Sequence, residues 1–194
     1  MMGAPAVRVA IDLVHVPSRV RLIRSEPLPD GVLTVLRIAS GDEAAEVEAA
    51  EALGRPRELV RTAAAFFIEQ ILLSSDSDSY RVLGADRTAS ASELRRNMAL
   101  LLKWLHPDID RKGNRSMFAG RVTTAWENLK TPDRRAAYDG ARPAREQKTR
   151  SRRAEKARLQ RRRHPSGGNS GFLREPRMGF LQRAVWLLFR GARH

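Results

Sequence analysis

Apolar residues recur at three- and four-residue intervals through most of the chain up to Leu129, and that spacing predicts helices. The longest run is Arg57 to Leu73. There Leu59, Val60, Ala63, Ala64, Phe67 and Ile71 make one stripe, and Phe66 and Ile68 widen it enough for the helix to pack on two sides. Upstream, Val32, Val35, Leu36 and Ile38 give Val32 to Ala39 a short apolar face. Ser40-Gly41-Asp42 breaks the chain at a capping residue, and Glu43 to Leu53 follows as a helix with acids near its positive end. Gly54 closes that helix, and Pro56 follows where it cannot continue. The first thirty positions read differently. Val7 to Val16 is rich in β-branched side chains and predicts a short strand, although no partner strand follows, and Pro27-Leu28-Pro29-Asp30-Gly31 is a turn signal. Ser74 to Ser79 is polar throughout and reads as a linker or a helix cap.

Beyond it the pattern becomes more specific. Tyr80, Val82 and Leu83 form a short apolar segment ended by Gly84. Thr88 to Ser92 offers N-cap residues with Glu93 in the first turn, and Leu94, Met98, Leu101, Leu102 and Leu105 then hold helical spacing. Pro107 lacks a backbone donor and disfavours helical geometry at His106, so this helix ends there. Asp108 to Asn114 reads as a polar loop, after which Phe118, Val122, Ala125, Trp126 and Leu129 form a second apolar face. Two antiparallel helices closed over an apolar seam are expected. Thr131-Pro132-Asp133 then opens a last short helix through Tyr138.

Charge changes the picture at the C-terminal side. The net charge is +14, yet residues 1–141 carry 20 basic and 19 acidic side chains, whereas residues 142–164 carry 11 basic and 2 acidic. The front of the chain therefore has an ordinary globular balance, and a basic, largely disordered tail is expected after it. Phosphate groups of nucleic acid or of an anionic membrane are candidate partners for residues 142–194. Phe180, Leu181, Ala184, Val185, Trp186, Leu187 and Leu188, flanked by Arg183 and Arg190, have the make-up of a short amphipathic helix that lies on a membrane or docks on the protein itself. Cysteine is absent, which excludes disulfides, thiolate catalysis and cysteine-ligated zinc. No secretory signal and no membrane span are expected.

The chemistry narrows to His106-Pro107-Asp108 at the end of the longer hairpin helix. Proline restricts the backbone there, an ionised Asp108 suits a bidentate arginine, and His106 both donates and accepts. By residue type alone a capping pair in a solvated loop is the favoured reading. A metal site from His106, Asp108 and Asp110 lacks a distant ligand, and no catalytic triad or phosphate loop stands elsewhere.

Taken in order, Tyr80-Arg81-Val82-Leu83-Gly84, Ala89 to Glu93, Leu94, Leu101, His106-Pro107-Asp108, Ala125-Trp126, Leu129 and Asp133-Arg134-Arg135-Ala136-Ala137-Tyr138-Asp139 resemble the J domain of DnaJ-family co-chaperones. The resemblance implies an all-α fold whose core includes Tyr80, Leu83, Leu94, Met98, Leu101, Leu105, Phe118, Val122, Ala125, Trp126, Leu129 and Tyr138. It implies docking through His106, Pro107, Asp108, Arg95, Arg96 and Lys103 on a DnaK-type heat-shock chaperone, with stimulation of that partner's ATPase. No cofactor, metal or small-molecule substrate is implied, and the location is cytoplasmic, or peripheral to the inner face of a membrane. With no cysteine-rich module and no long Gly/Phe-rich segment, the chain resembles the specialised J-domain-only class. Residues 1–75 are expected as a helical lead-in, 76–141 as the J domain, 142–178 as a basic linker and 179–194 as the terminal helix. The family's second helix usually bears a strong basic face, but here Met98, Ala99, Leu100 and Trp104 interrupt it. Leu100 and Trp104 are therefore expected to pack against residues 57–73. The alternative is a basic nucleic-acid or membrane-surface binder that keeps the J fold as a scaffold.

Overall fold

In the computed structural model, residues 5–106 and 115–141 are described, and every regular element among them is helical. The predicted strand at Val7 to Val16 is instead part of a helix, α1 (Pro5–His15). Its charged residues explain why. Arg8, Asp12 and His15 recur at helical spacing on an exposed face, while Ala6, Val7, Ala10, Ile11, Leu13 and Val14 are buried opposite them. Burial of that face overrides the modest strand preference of β-branched residues.

A 3₁₀ turn (Pro17–Arg19) and a short α2 (Val20–Ile23) lead to α3 (Val32–Ala39) and α4 (Glu43–Leu53). The Asp42 carboxylate accepts from the Ala45 N–H at 3.1 Å and caps α4, and Gly54 ends it in the left-handed region at φ 58°. The long helix expected from Arg57 is regular as α5 (Arg57–Phe67) and then passes into a π-helical turn (Ile68–Leu72). Helix α5 lies between α1, α3 and α4, as its wide apolar surface requires. Glu46 is only 2% exposed on α4, where it accepts from Arg57 Nε at 3.1 Å and Arg61 Nη2 at 2.8 Å.

Ser74 to Ser79 acts as a cap. Ser77 Oγ donates to the Ile71 carbonyl at 3.1 Å, and Asp78 caps α6 (Ser79–Val82) by accepting from the Arg81 N–H at 2.9 Å. The hairpin follows as α7 (Ala91–Trp104) and α8 (Ala119–Leu129), with α9 (Pro132–Gly140) capped by Thr131. Helix α7 meets α8 on one side and α3 on another, so the N-terminal helices and the hairpin pack together. Among the described residues no helix is long and apolar enough to cross a membrane. The tail expected as disordered and the terminal helix, within 142–194, lie outside the described residues.

Candidate functional site: the exposed stripe of α7

Helix α7 starts at a full capping box. Ser90 Oγ accepts from the Glu93 N–H at 3.2 Å, and Glu93 Oε2 accepts from the Ser90 N–H at 2.8 Å. These bonds hold the Glu93 carboxyl below its usual value. Along the helix Leu94, Asn97, Leu101 and Trp104 are buried, whereas Arg95, Arg96, Ala99, Leu102, Lys103 and His106 are exposed. At three- and four-residue spacing the exposed set forms one stripe that runs down the helix to His106. The last helical residue is Trp104, and the His106 N–H still donates to the Lys103 carbonyl at 3.1 Å. Pro107 and Asp108 lie outside the described residues.

The opposite end of the hairpin is held by a cluster around Tyr80. Its hydroxyl donates to Asp139 Oδ2 at 2.9 Å and accepts from Arg135 Nε at 2.9 Å, while the Arg135 guanidinium lies 5.2 Å from the ring centroid. Burial, followed by the Asp139 contact, pushes the Tyr80 hydroxyl above its ordinary pKa. Arg135 Nη1 also donates to the Ala89 carbonyl at 2.8 Å, just before the α7 cap. Tyr138 packs edge-on against Tyr80 at 6.0 Å, and its hydroxyl accepts from the Ser79 N–H at 2.8 Å. Residues of α9 thus fix α6 and the start of α7, which sets the direction of the stripe.

Among the residues proposed for the hairpin core, Tyr80, Leu83, Leu94, Leu101, Leu105, Val122, Ala125 and Leu129 are buried. Met98, Phe118, Trp126 and Tyr138 are half-buried, at the margin of the seam rather than within it. Trp104, expected with Leu100 to pack against residues 57–73, is 1% exposed, and Leu100 is half-buried. Helix α3 packs on α7, and Arg115, which lies over the Trp104 ring, also reaches Glu69 within residues 57–73.

Sequence reading missed two further groups. Buried Asn97 donates from Nδ2 to the carbonyls of Leu83 and Gly84 at 3.0 and 3.3 Å, and its only signal was a polar residue among the leucines of the inner face. Arg81 donates to the carbonyls of Ile23 and Glu26, each at 2.8 Å, and so ties α6 to the end of α2. Burial lowers the Arg81 pKa below its ordinary value.

Residues 78–139 match the family model of the DnaJ domain. Over 62 residues the chain is 37% identical to the Chaperone protein DnaJ of Listeria monocytogenes, covering 32% of this chain and 16% of that protein. It is 39% identical over 67 residues to the Chaperone protein DnaJ of Latilactobacillus sakei, covering 34% and 18%. The chain therefore spans less than a fifth of the length of these relatives. No solved structure matches it. The match, the helical hairpin and the cluster that closes its base agree on one conclusion: residues 78–139 are a DnaJ domain.

Proposed function

We propose that the chain is a co-chaperone that docks through the exposed stripe of α7 and His106-Pro107-Asp108 on a DnaK-type heat-shock chaperone and stimulates its ATP hydrolysis. The observation that supports this reading is the DnaJ-domain match over residues 78–139, together with a helix whose exposed stripe leads to His106. Arg95, Arg96 and Lys103 supply positive charge for an acidic partner surface, and Asp108 suits an arginine of that partner. Ala99 and Leu102 on the same stripe reduce the electrostatic share of docking, so its salt dependence is shallow. In this reading the chain is no enzyme itself. It requires no cofactor, takes no small-molecule substrate, and works in the cytoplasm. Phosphate release from the chaperone, measured with and without the chain, tests the proposal. The chain raises turnover and His106→Gln does not; equal stimulation by the two proteins would refute a working role for the loop.

The charge of residues 142–164, 11 basic against 2 acidic, supports a second role beside the first. That stretch draws the domain to an anionic surface, where the local concentration of the co-chaperone rises.

A further inference from the structure

Arg115 is the first described residue after the connection that begins at Pro107, and it does not stand alone. Its guanidinium lies 4.6 Å from the centroid of the Trp104 ring, on the last residue of α7. Its Nε is 3.4 Å from Oε1 of Glu69, which belongs to the π-helical turn. Trp104 is 1% exposed, and the side chains of Arg115 and Glu69 are 23% and 15% exposed, so water screens this trio less than it does a surface pair. The Nε to Oε1 distance is long for a charge-assisted bond, and the cation over the Trp104 ring adds a second attraction that holds the guanidinium in place. A second tie lies beside it, where Arg121 of α8 donates from Nη1 to the Leu73 carbonyl at the end of the same turn. Glu69 and Leu73 both fall outside residues 78–139, the stretch that matches the family.

Resting on the function proposed above, we propose that Arg115, oriented by Glu69 and Trp104, is a positioning residue. It locks the end of α7 and the approach to α8 onto the N-terminal helices, and so presets the direction from which His106 meets the partner. Lysine does not replace it, because a compact ammonium cannot lie over the indole and donate from a separate edge to Glu69 at once. The N-terminal helices are then part of the stimulating device. A preset geometry lowers the ordering cost at the moment of docking, and it acts on the productive fraction of complexes even where Arg95, Arg96 and Lys103 keep encounter unchanged.

The test uses the full chain with a DnaK-type chaperone, titrated to the plateau of ATPase stimulation. Glu69→Gln, Arg115→Lys and Arg115→Ala are compared with the parent, and His106→Gln serves as the control for the function itself. The expected result is a plateau lowered about threefold in each clamp variant, with half-maximal concentration and far-UV circular dichroism unchanged. A plateau equal to the parent's overturns the proposal, as does a loss that merely tracks unfolding. If the parent itself fails to stimulate, the proposed function is overturned. Trypsin cleavage after Arg111 and Lys112, read by mass spectrometry, then decides the clamp on its own. Faster cleavage at those two sites in Glu69→Gln supports it, and an unchanged rate overturns it.

Discussion

Gly84→Ala tests the seat of the N-terminal helices on the DnaJ domain. Gly84 has φ 62°, so a side chain there enters the left-handed region, which costs about 1–2 kcal/mol. A Cβ at this position would also stand 2.9 Å from Val32 Cγ1, 3.3 Å from Leu36 Cδ1 and 3.4 Å from Leu72 Cδ1. These are buried side chains of α3 and the π turn, and the Val32 methyl sits on a branched Cβ, so none swings into open space. Overpacking of this kind adds about 1–3 kcal/mol. The expected loss is therefore about 2–5 kcal/mol, a large share of an ordinary domain's stability. Gly54→Ala is the internal control: its φ is 58°, but nothing lies within 4 Å of the added Cβ, so only the backbone cost of about 1–2 kcal/mol applies. Urea unfolding of both variants, followed by circular dichroism at equal slope, reads the difference as a shift in midpoint. Equal destabilisation by the two substitutions would refute the close approach of α3 to Gly84, and with it the joint core of the two halves.

Glu46→Gln is expected to lower stability at neutral pH by about 1–3 kcal/mol, the range for hydrogen bonds to a buried charge. Burial raises the Glu46 pKa, but bonds from Arg61 and Arg57 outweigh it and leave the value lowered. A lowered folded pKa means the contribution is whole above the ordinary carboxylate value and is lost as pH falls through the folded one; parent and variant should therefore converge in acid unfolding series. Leu100→Lys places a charge at a half-buried position of α7 and is expected to lower the urea midpoint; an unchanged midpoint and helicity would count against cover of that side by the N-terminal helices. Deleting residues 142–194 should abolish co-sedimentation with anionic liposomes, while binding by the full chain weakens as salt rises. Retained, salt-independent sedimentation would remove the tail from this role.

Features carried by neighbouring residues were legible in the sequence. Ser90 with Glu93, Thr131 ahead of Pro132, Asp42 before the glutamates and Gly54 after them each mark a helix end, because a cap needs only partners within about one turn. The apolar stripe of α7 and its stop before Pro107 rest on the same short range, and so does the order of residues that resembles the J domain. Val7 to Val16 misled because β-branched content is also local, while the burial that decides for a helix comes from α3 and α5.

Long-range pairings decided the rest. Spacing along the chain did not show that Glu46 would meet Arg57 and Arg61, or that Asn97 would satisfy the carbonyls of Leu83 and Gly84. Glu69 and Arg115 stand 46 positions apart, and only the tertiary fold brings the Glu69 carboxylate to the guanidinium that lies over the Trp104 ring. Sequence alone determined that a helix ends at a polar tripeptide of J-domain type. Tertiary structure decided which face of that helix stays open and which is covered, by α8 within the domain and by α3 from outside it. The reason is physical: a helix's period and ends follow from its own residues, whereas the covering of its faces depends on surfaces that distant segments supply.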